Sequence, residues 1–156
     1  MDTTEVIVIG AGIAGLRCAL ALAEAGRDVV VVEAGSRVGG RQRTDRVDGF
    51  LLLEPFLAGV IADDTGTTSD AFVRLLVRMF VLGRPGLPAD GIQALPHQLA
   101  RRVTDAGGRI RLSHRASRID RASGRMRVEI DGAGPVIAET VVVAVGPDAV
   151  SNLIDV

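Results

Sequence analysis

The first part of the chain alternates short apolar runs with glycine. Residues 5–9 (EVIVI) are a β-branched run that stops at glycine, which predicts a buried parallel strand. Residues 13–25 (IAGLRCALALAEA) are rich in Ala and Leu and end at Gly26, which predicts a helix with a glycine stop. Residues 28–33 (DVVVVE) form a second buried strand. Strand, helix and strand within about 30 residues make one βαβ unit, whose crossover is right-handed.

Residues 36–50 are irregular and rich in Gly and Arg, and FLLL at 50–53 is a candidate short strand. The run LEPFLAGVIADDTGTTSD has no period and reads as a connection. Ser69 or Asp70 can cap a helix running AFVRLLVRMFVL to Gly83. GRPGLPADG is a loop, Pro96 suits the first turn of a helix through Ala106, and RIRLS at 109–113 is the next strand. The pattern then changes. ASRIDRA, RMRVEID and PVIAET alternate polar and apolar residues, with Gly124, Gly132 and Gly134 between them. Period two with glycine punctuation predicts a three-stranded antiparallel meander. VVVAV at 141–145 returns to the buried-strand type, and PDAVSNLI is a last helix.

Composition narrows the chemistry. The 156 residues suit one domain with a sizeable core, 47% are apolar, and mean hydropathy is +0.32. A net charge of −1 gives no global pull toward nucleic acid. All 18 basic residues are Arg, and Lys, Tyr and Trp are absent. Lysine Schiff bases, tyrosine acid–base chemistry and Tyr or Trp stacking platforms are therefore excluded. Cys18 is the one cysteine, so a disulfide framework and a cysteine zinc site are excluded too; it reads as a helix core residue. MDTTE lacks the basic start of a signal peptide, and no apolar run reaches the roughly 18 residues of a membrane span, which makes the cytoplasm the expected location.

Gly10-Ala11-Gly12-Ile13-Ala14-Gly15 is a GxGxxG motif between a strand and a helix. Gly10 permits the tight turn, Gly12 lets a pyrophosphate approach the backbone, and Gly15 lets the helix pack close. The helix start at Ile13 and Ala14 offers unpaired N–H groups and a partial positive charge to phosphates. Glu33 closes the second strand, where a carboxylate accepts both hydroxyls of an adenosine ribose and repels a 2′-phosphate, disfavouring NADP.

The stretch that follows, Glu33-Ala34-Gly35-Ser36-Arg37-Val38-Gly39-Gly40-Arg41-Gln42-Arg43-Thr44, resembles the ExxxRxGGRxxT extension of FAD-dependent amine oxidases, phytoene desaturases and protoporphyrinogen oxidases. The resemblance implies FAD as cofactor. FAD extends a ribityl chain and a flavin past the pyrophosphate, so a second glycine pair, Gly39 and Gly40, gives room for backbone approach. Arg41 is then expected on the diphosphate and Arg37 on the adenosine side. DRVDGFLL, IRLSHRASRID and TVVVAVGPDAV resemble further family segments. They imply an adenine contact at the backbone near Ala116, where the family usually has Val, and cofactor contacts near Ala144 and Gly146. The implied fold is α/β, a Rossmann-like parallel sheet with a three-stranded antiparallel β-meander, as in FAD-binding domains of the glutathione-reductase type.

Family members are much longer. The resemblance implies that the substrate-binding domain is missing between FLLL and PFLAGV, near Leu53-Glu54, as is the C-terminal stretch that closes over the flavin. The lysine often found near the flavin and the aromatic cage of amine oxidases cannot exist here. The expectation is a single, minimal domain that binds FAD non-covalently, with no catalytic residue or metal ligand of its own. One alternative is an amine-oxidase-like or desaturase-like oxidoreductase completed by oligomerisation; another is a binding module for NAD or ADP. His97 and His114 read as structural. The helix AFVRLLVRMFVL carries Arg74 and Arg78 on one face and apolar residues over the rest. That surface can pack on its own sheet, form a homodimer, the expected partner, or attach to a membrane surface.

Overall fold

A computed structural model describes residues 2–40, 69–83 and 88–154. Residues 2–40 and 88–154 belong to one compact unit, and residues 69–83 belong to a second. FLLL at 50–53, most of the connection after it and Arg41 lie outside the described residues.

The first unit begins with the predicted βαβ element: β1 (Asp2–Ile9), α1 (Ile13–Glu24) and β2 (Val29–Val32). All four valines of β2 are 0–1% exposed, as expected of a parallel strand covered on both faces. Helix α1 stops where Gly26 takes a left-handed φ of 76° and the Arg27 N–H reaches back to the Leu22 carbonyl. The second unit contains α2 (Asp70–Leu82). The first unit resumes with α3 (Ala94–Asp105), β3 (Arg109–Arg111), β4 (Ala116–Ala122), β5 (Arg125–Ile130), β6 (Val136–Val143) and a single turn of helix, α4 (Pro147–Val150).

The six strands form one sheet in the order β3-β2-β1-β6-β5-β4. β3, β2, β1 and β6 are parallel, and β6, β5 and β4 are antiparallel. The meander and the parallel sheet therefore share a strand. The sequence pattern splits PVIAET from VVVAV, but the structure runs them together as β6. Nothing between them breaks a strand: Glu139 and Thr140 are exposed and extended, and neither Gly nor Pro intervenes. The change of period marks a change of neighbours. Val136–Ala138 pair with both β1 and β5, whereas Val141–Val143 pair with β1 alone. The last helix is also shorter than PDAVSNLI implies, ending at Val150.

Alternation along the strands sends side chains to two cores. Val6, Val8, Val29 and Val31 pack with Leu16, Ala19 and Leu20 of α1 and Val103 of α3. Ile7, Ile9, Val30 and Val32 pack with Val128, Ile130, Val136 and Ala138 of the meander and with Leu153. Each fully buried Val or Leu contributes about 1.5–3 kcal/mol relative to exposure. Among the described residues, no helix is long and apolar enough to cross a membrane.

Candidate functional site: a cleft at the strand ends

The parallel strands β1, β2 and β6 deliver Gly10, Glu33 and Ala144 to one end of the sheet, where chains of this topology bind ligands. Gly10 leaves β1 with its N–H on the Val32 carbonyl at 2.8 Å, and a Cβ there would come within 2.6 Å of the Ala144 oxygen. Gly12 caps α1 in an extended conformation, and the space a Cβ would occupy there is empty. Ile13 and Ala14 open the helix. At Gly15 a Cβ would collide with the Gly10 carbonyl oxygen and press on the Ala144 Cβ, so the helix closes against the turn only because no side chain intervenes.

Glu33 is held from all sides. Its carboxylate accepts the Ala11 N–H on Oε2 and the Gly35 N–H on Oε1, both at 2.8 Å. Its own N–H donates to the Arg111 carbonyl, and its carbonyl accepts the His114 N–H. The Ser113 N–H reaches the Gly35 carbonyl, with Ser113 in a left-handed conformation at φ 57°. A carboxylate has about four lone-pair positions, so two remain for hydroxyl donors. His114 has the structural part expected of it: Nδ1–H donates to the Leu112 carbonyl at 2.7 Å.

The second glycine pair folds back onto the first. The Gly39 N–H donates to the Ala11 carbonyl at 2.8 Å, and a Cβ on Gly40 would lie 3.4 Å from the Gly12 Cα. Both residues have positive φ, 119° and 54°, a backbone path that favours glycine. On its other side Gly39 meets Gln93 and Pro96 at the start of α3, and Gln93 Nε2 donates to the Val38 carbonyl at 2.7 Å. Nothing in the sequence marks Gln93 for this role, since it lies 55 positions from Val38 and carries no motif.

Beside Gly10 and Glu33 lies a cleft of about 270 Å³. Of the residues singled out from the sequence, Gly10, Glu33, Ala34 and Ala116 line it. Gly12, Ile13, Ala14 and Gly15 form the helix start beside Gly10, Ala144 abuts Gly10 and Gly15, and Gly146 caps α4. Arg37 lines a more open groove with Ser36, Val38, His97 and Arg101. Sequence reasoning missed Arg115, Ser117, Val145 and Asn152, which also line the cleft. The cleft walls combine apolar side chains with the Glu33 carboxylate, and beside them Gly12 opens the helix without a side chain.

Sheet order, glycine turn and strand-end carboxylate define a Rossmann-like dinucleotide-binding fold of the kind used by FAD-dependent oxidoreductases. Comparison with known proteins gives the family. Residues 51–155 match the model described as flavin containing amine oxidoreductase, and residues 8–63 match an NAD(P)-binding Rossmann-like domain. The chain belongs to the flavin containing amine oxidoreductase family, and its cofactor is FAD. It is 41% identical over 90 residues to a putative flavin-containing monoamine oxidase, AofH, of Mycobacterium tuberculosis, covering 55% of this chain and 17% of that protein. It is 54% identical over 48 residues to putrescine oxidase of Kocuria rosea, 31% of this chain and 10% of that protein. The chain thus spans under a fifth of the length of these curated relatives. In fold it resembles NikD, an unusual amino acid oxidase, with a TM-score of 0.64 at 18% identity over 98% of this chain and 53% of that one. It also resembles glycine oxidase from Geobacillus kaustophilus, with a TM-score of 0.61 at 19% identity over 98% of this chain and 58% of that one.

Proposed function

We propose that the chain is a minimal flavoprotein that holds one FAD non-covalently and performs at most simple flavin redox chemistry. The adenosine end occupies the cleft, with its ribose hydroxyls on the two free positions of Glu33. The diphosphate lies over Gly12 and the start of α1, balanced by Arg41. The observation that carries this reading is the docking of Gly39-Gly40 onto Ala11-Gly12. It builds a doubled glycine wall that a ligand continuing past the pyrophosphate needs and a lone ADP does not. Bound flavin supplies hydride and electron transfer; the residues of this chain bind and orient it. On the family resemblance, the substrate-binding portion is absent near Leu53-Glu54, so the chain holds the cofactor without holding a substrate against it.

The test is a visible spectrum of the purified protein with a thermal melt before and after FAD. The expected result is flavin absorbance that survives gel filtration and a rise in Tm; colourless protein with an unmoved Tm overturns the reading. Arg41→Ala is expected to weaken FAD more than AMP, and equal losses would remove Arg41 from the diphosphate.

A second reading, an oxidoreductase site completed by a homodimer through α2, draws on one observation. Phe72, Leu75, Val77, Met79, Val81 and Leu82 of that helix are 44–76% exposed. Light scattering that finds monomer at every working concentration ends it.

A further inference from the structure

The cleft has a wall that the glycine turn and Glu33 do not account for. After β6 the chain turns through α4, and Ala149, Asn152 and Leu153 close over the space beside Ala116. That turn is fixed. Leu153 is 4% exposed and packed in the meander core; its carbonyl accepts the Ile119 N–H of β4 at 2.8 Å, and its N–H donates to the Val150 carbonyl. Asn152 is therefore held at the mouth of the cleft by its neighbour, although it is itself exposed.

We propose that Asn152 is a specificity-determining residue that reads the purine edge of the bound nucleotide and selects adenine. This rests on the FAD reading above. The chemistry follows from which groups remain uncommitted. Adenine presents an exocyclic amine, a donor, beside a ring nitrogen, an acceptor, and a side-chain amide matches that pair with one acceptor and one donor. Among the described residues that line the cleft, Asn152 carries the only amide side chain. Its Nδ2 spends one hydrogen on the Asp148 carbonyl at 3.3 Å, which leaves the second hydrogen and the whole of Oδ1. The other polar side chains cannot do the same. The Glu33 carboxylate only accepts, and its two open positions go to the ribose hydroxyls in the reading above, while Ser117 Oγ donates to the Glu129 carbonyl of β5 at 3.5 Å. Arg115 has donors only, which cannot accept the adenine amine.

The role predicts a switch as well as a loss. A carboxylate at this position accepts but does not donate, so it faces a ring lone pair in adenine and a ring N–H in guanine. AMP and GMP are titrated in competition with FAD, followed by flavin fluorescence, on the unmodified protein and on Asn152→Ala and Asn152→Asp. The unmodified protein is expected to prefer AMP by about tenfold or more. Asn152→Ala is expected to weaken AMP about five- to tenfold and leave GMP unchanged, and Asn152→Asp to move the preference toward GMP. An AMP-to-GMP ratio in Asn152→Ala equal to that of the unmodified protein overturns the proposal. Protein that binds neither FAD nor AMP fails the FAD reading itself. Protein that binds both, with no base preference, overturns the role of Asn152 alone. Asn152 is on the surface, so both variants retain the fold.

Discussion

Val31 and Val81 sit in runs of similar greasiness, VVVV in β2 and RMFVL in α2, yet one is fully buried and the other is 76% exposed. The difference lies in what each element can recruit. β2 lies between two parallel neighbours, with α1 and α3 over one face and the meander over the other. Its backbone groups and its side chains are satisfied by the same arrangement. α2 satisfies its backbone internally, and its ends are held by local means: the Ser69 hydroxyl accepts the Phe72 N–H, and Asp70 pairs with Arg74 four residues on. A helix of this length is marginal in water without tertiary packing, and one that is apolar nearly all round belongs inside a larger body. Among the described residues, the first unit thus buries its strands, whereas α2 leaves much of its apolar surface exposed.

Substitutions can break that contrast. The largest effect is expected within the first unit. Gly15→Ala puts a methyl group into the Gly10 carbonyl, a backbone atom that cannot step aside, and should cost about 3 kcal/mol or more in urea unfolding. Gly12→Ala places its methyl in open space, so it should cost about 1 kcal/mol or less while weakening FAD at least about tenfold. Equal destabilisation by the two would show that the turn is not packed as described. Next comes the pair that frames the comparison. Val31→Ala should cost about 2 kcal/mol and Val81→Ala under about 0.5 kcal/mol in dilute protein. A loss at Val81 that grows with protein concentration would identify a second copy as the cover of α2. The smallest change is Ser69→Ala, expected to cost about 0.5–1 kcal/mol and to be confined to the first turn of α2 in amide exchange.

Much of the first unit was legible in the sequence because its signals are local. β1, α1 and β2 each carry a period and a glycine stop, and the GxGxxG turn and Glu33 fall where those elements end. The Glu33–Arg37–Gly39-Gly40 stretch pointed to the family through its resemblance to the extension that follows the first glycine turn in family members. The illegible parts depend on chain segments meeting from afar. Gln93 reaches Val38 only because α3 packs beside α1, and Asn152 reaches the cleft only because β6 lies next to β1. The same distance hid the unity of β6, since its change of pattern records a change of neighbour rather than an end.

β6 also sets the order in which this protein can be assembled. β1 and its partner on one side, β2, lie close together in the chain and can pair early. Its partner on the other side is β6, so that Val6 waits for Thr140, more than a hundred residues later. Until then the central strand of the finished sheet is an edge strand, with a row of open N–H and carbonyl groups and isoleucine side chains beside them. A growing chain therefore carries its best template for mispairing uncovered over the whole interval between β2 and β6.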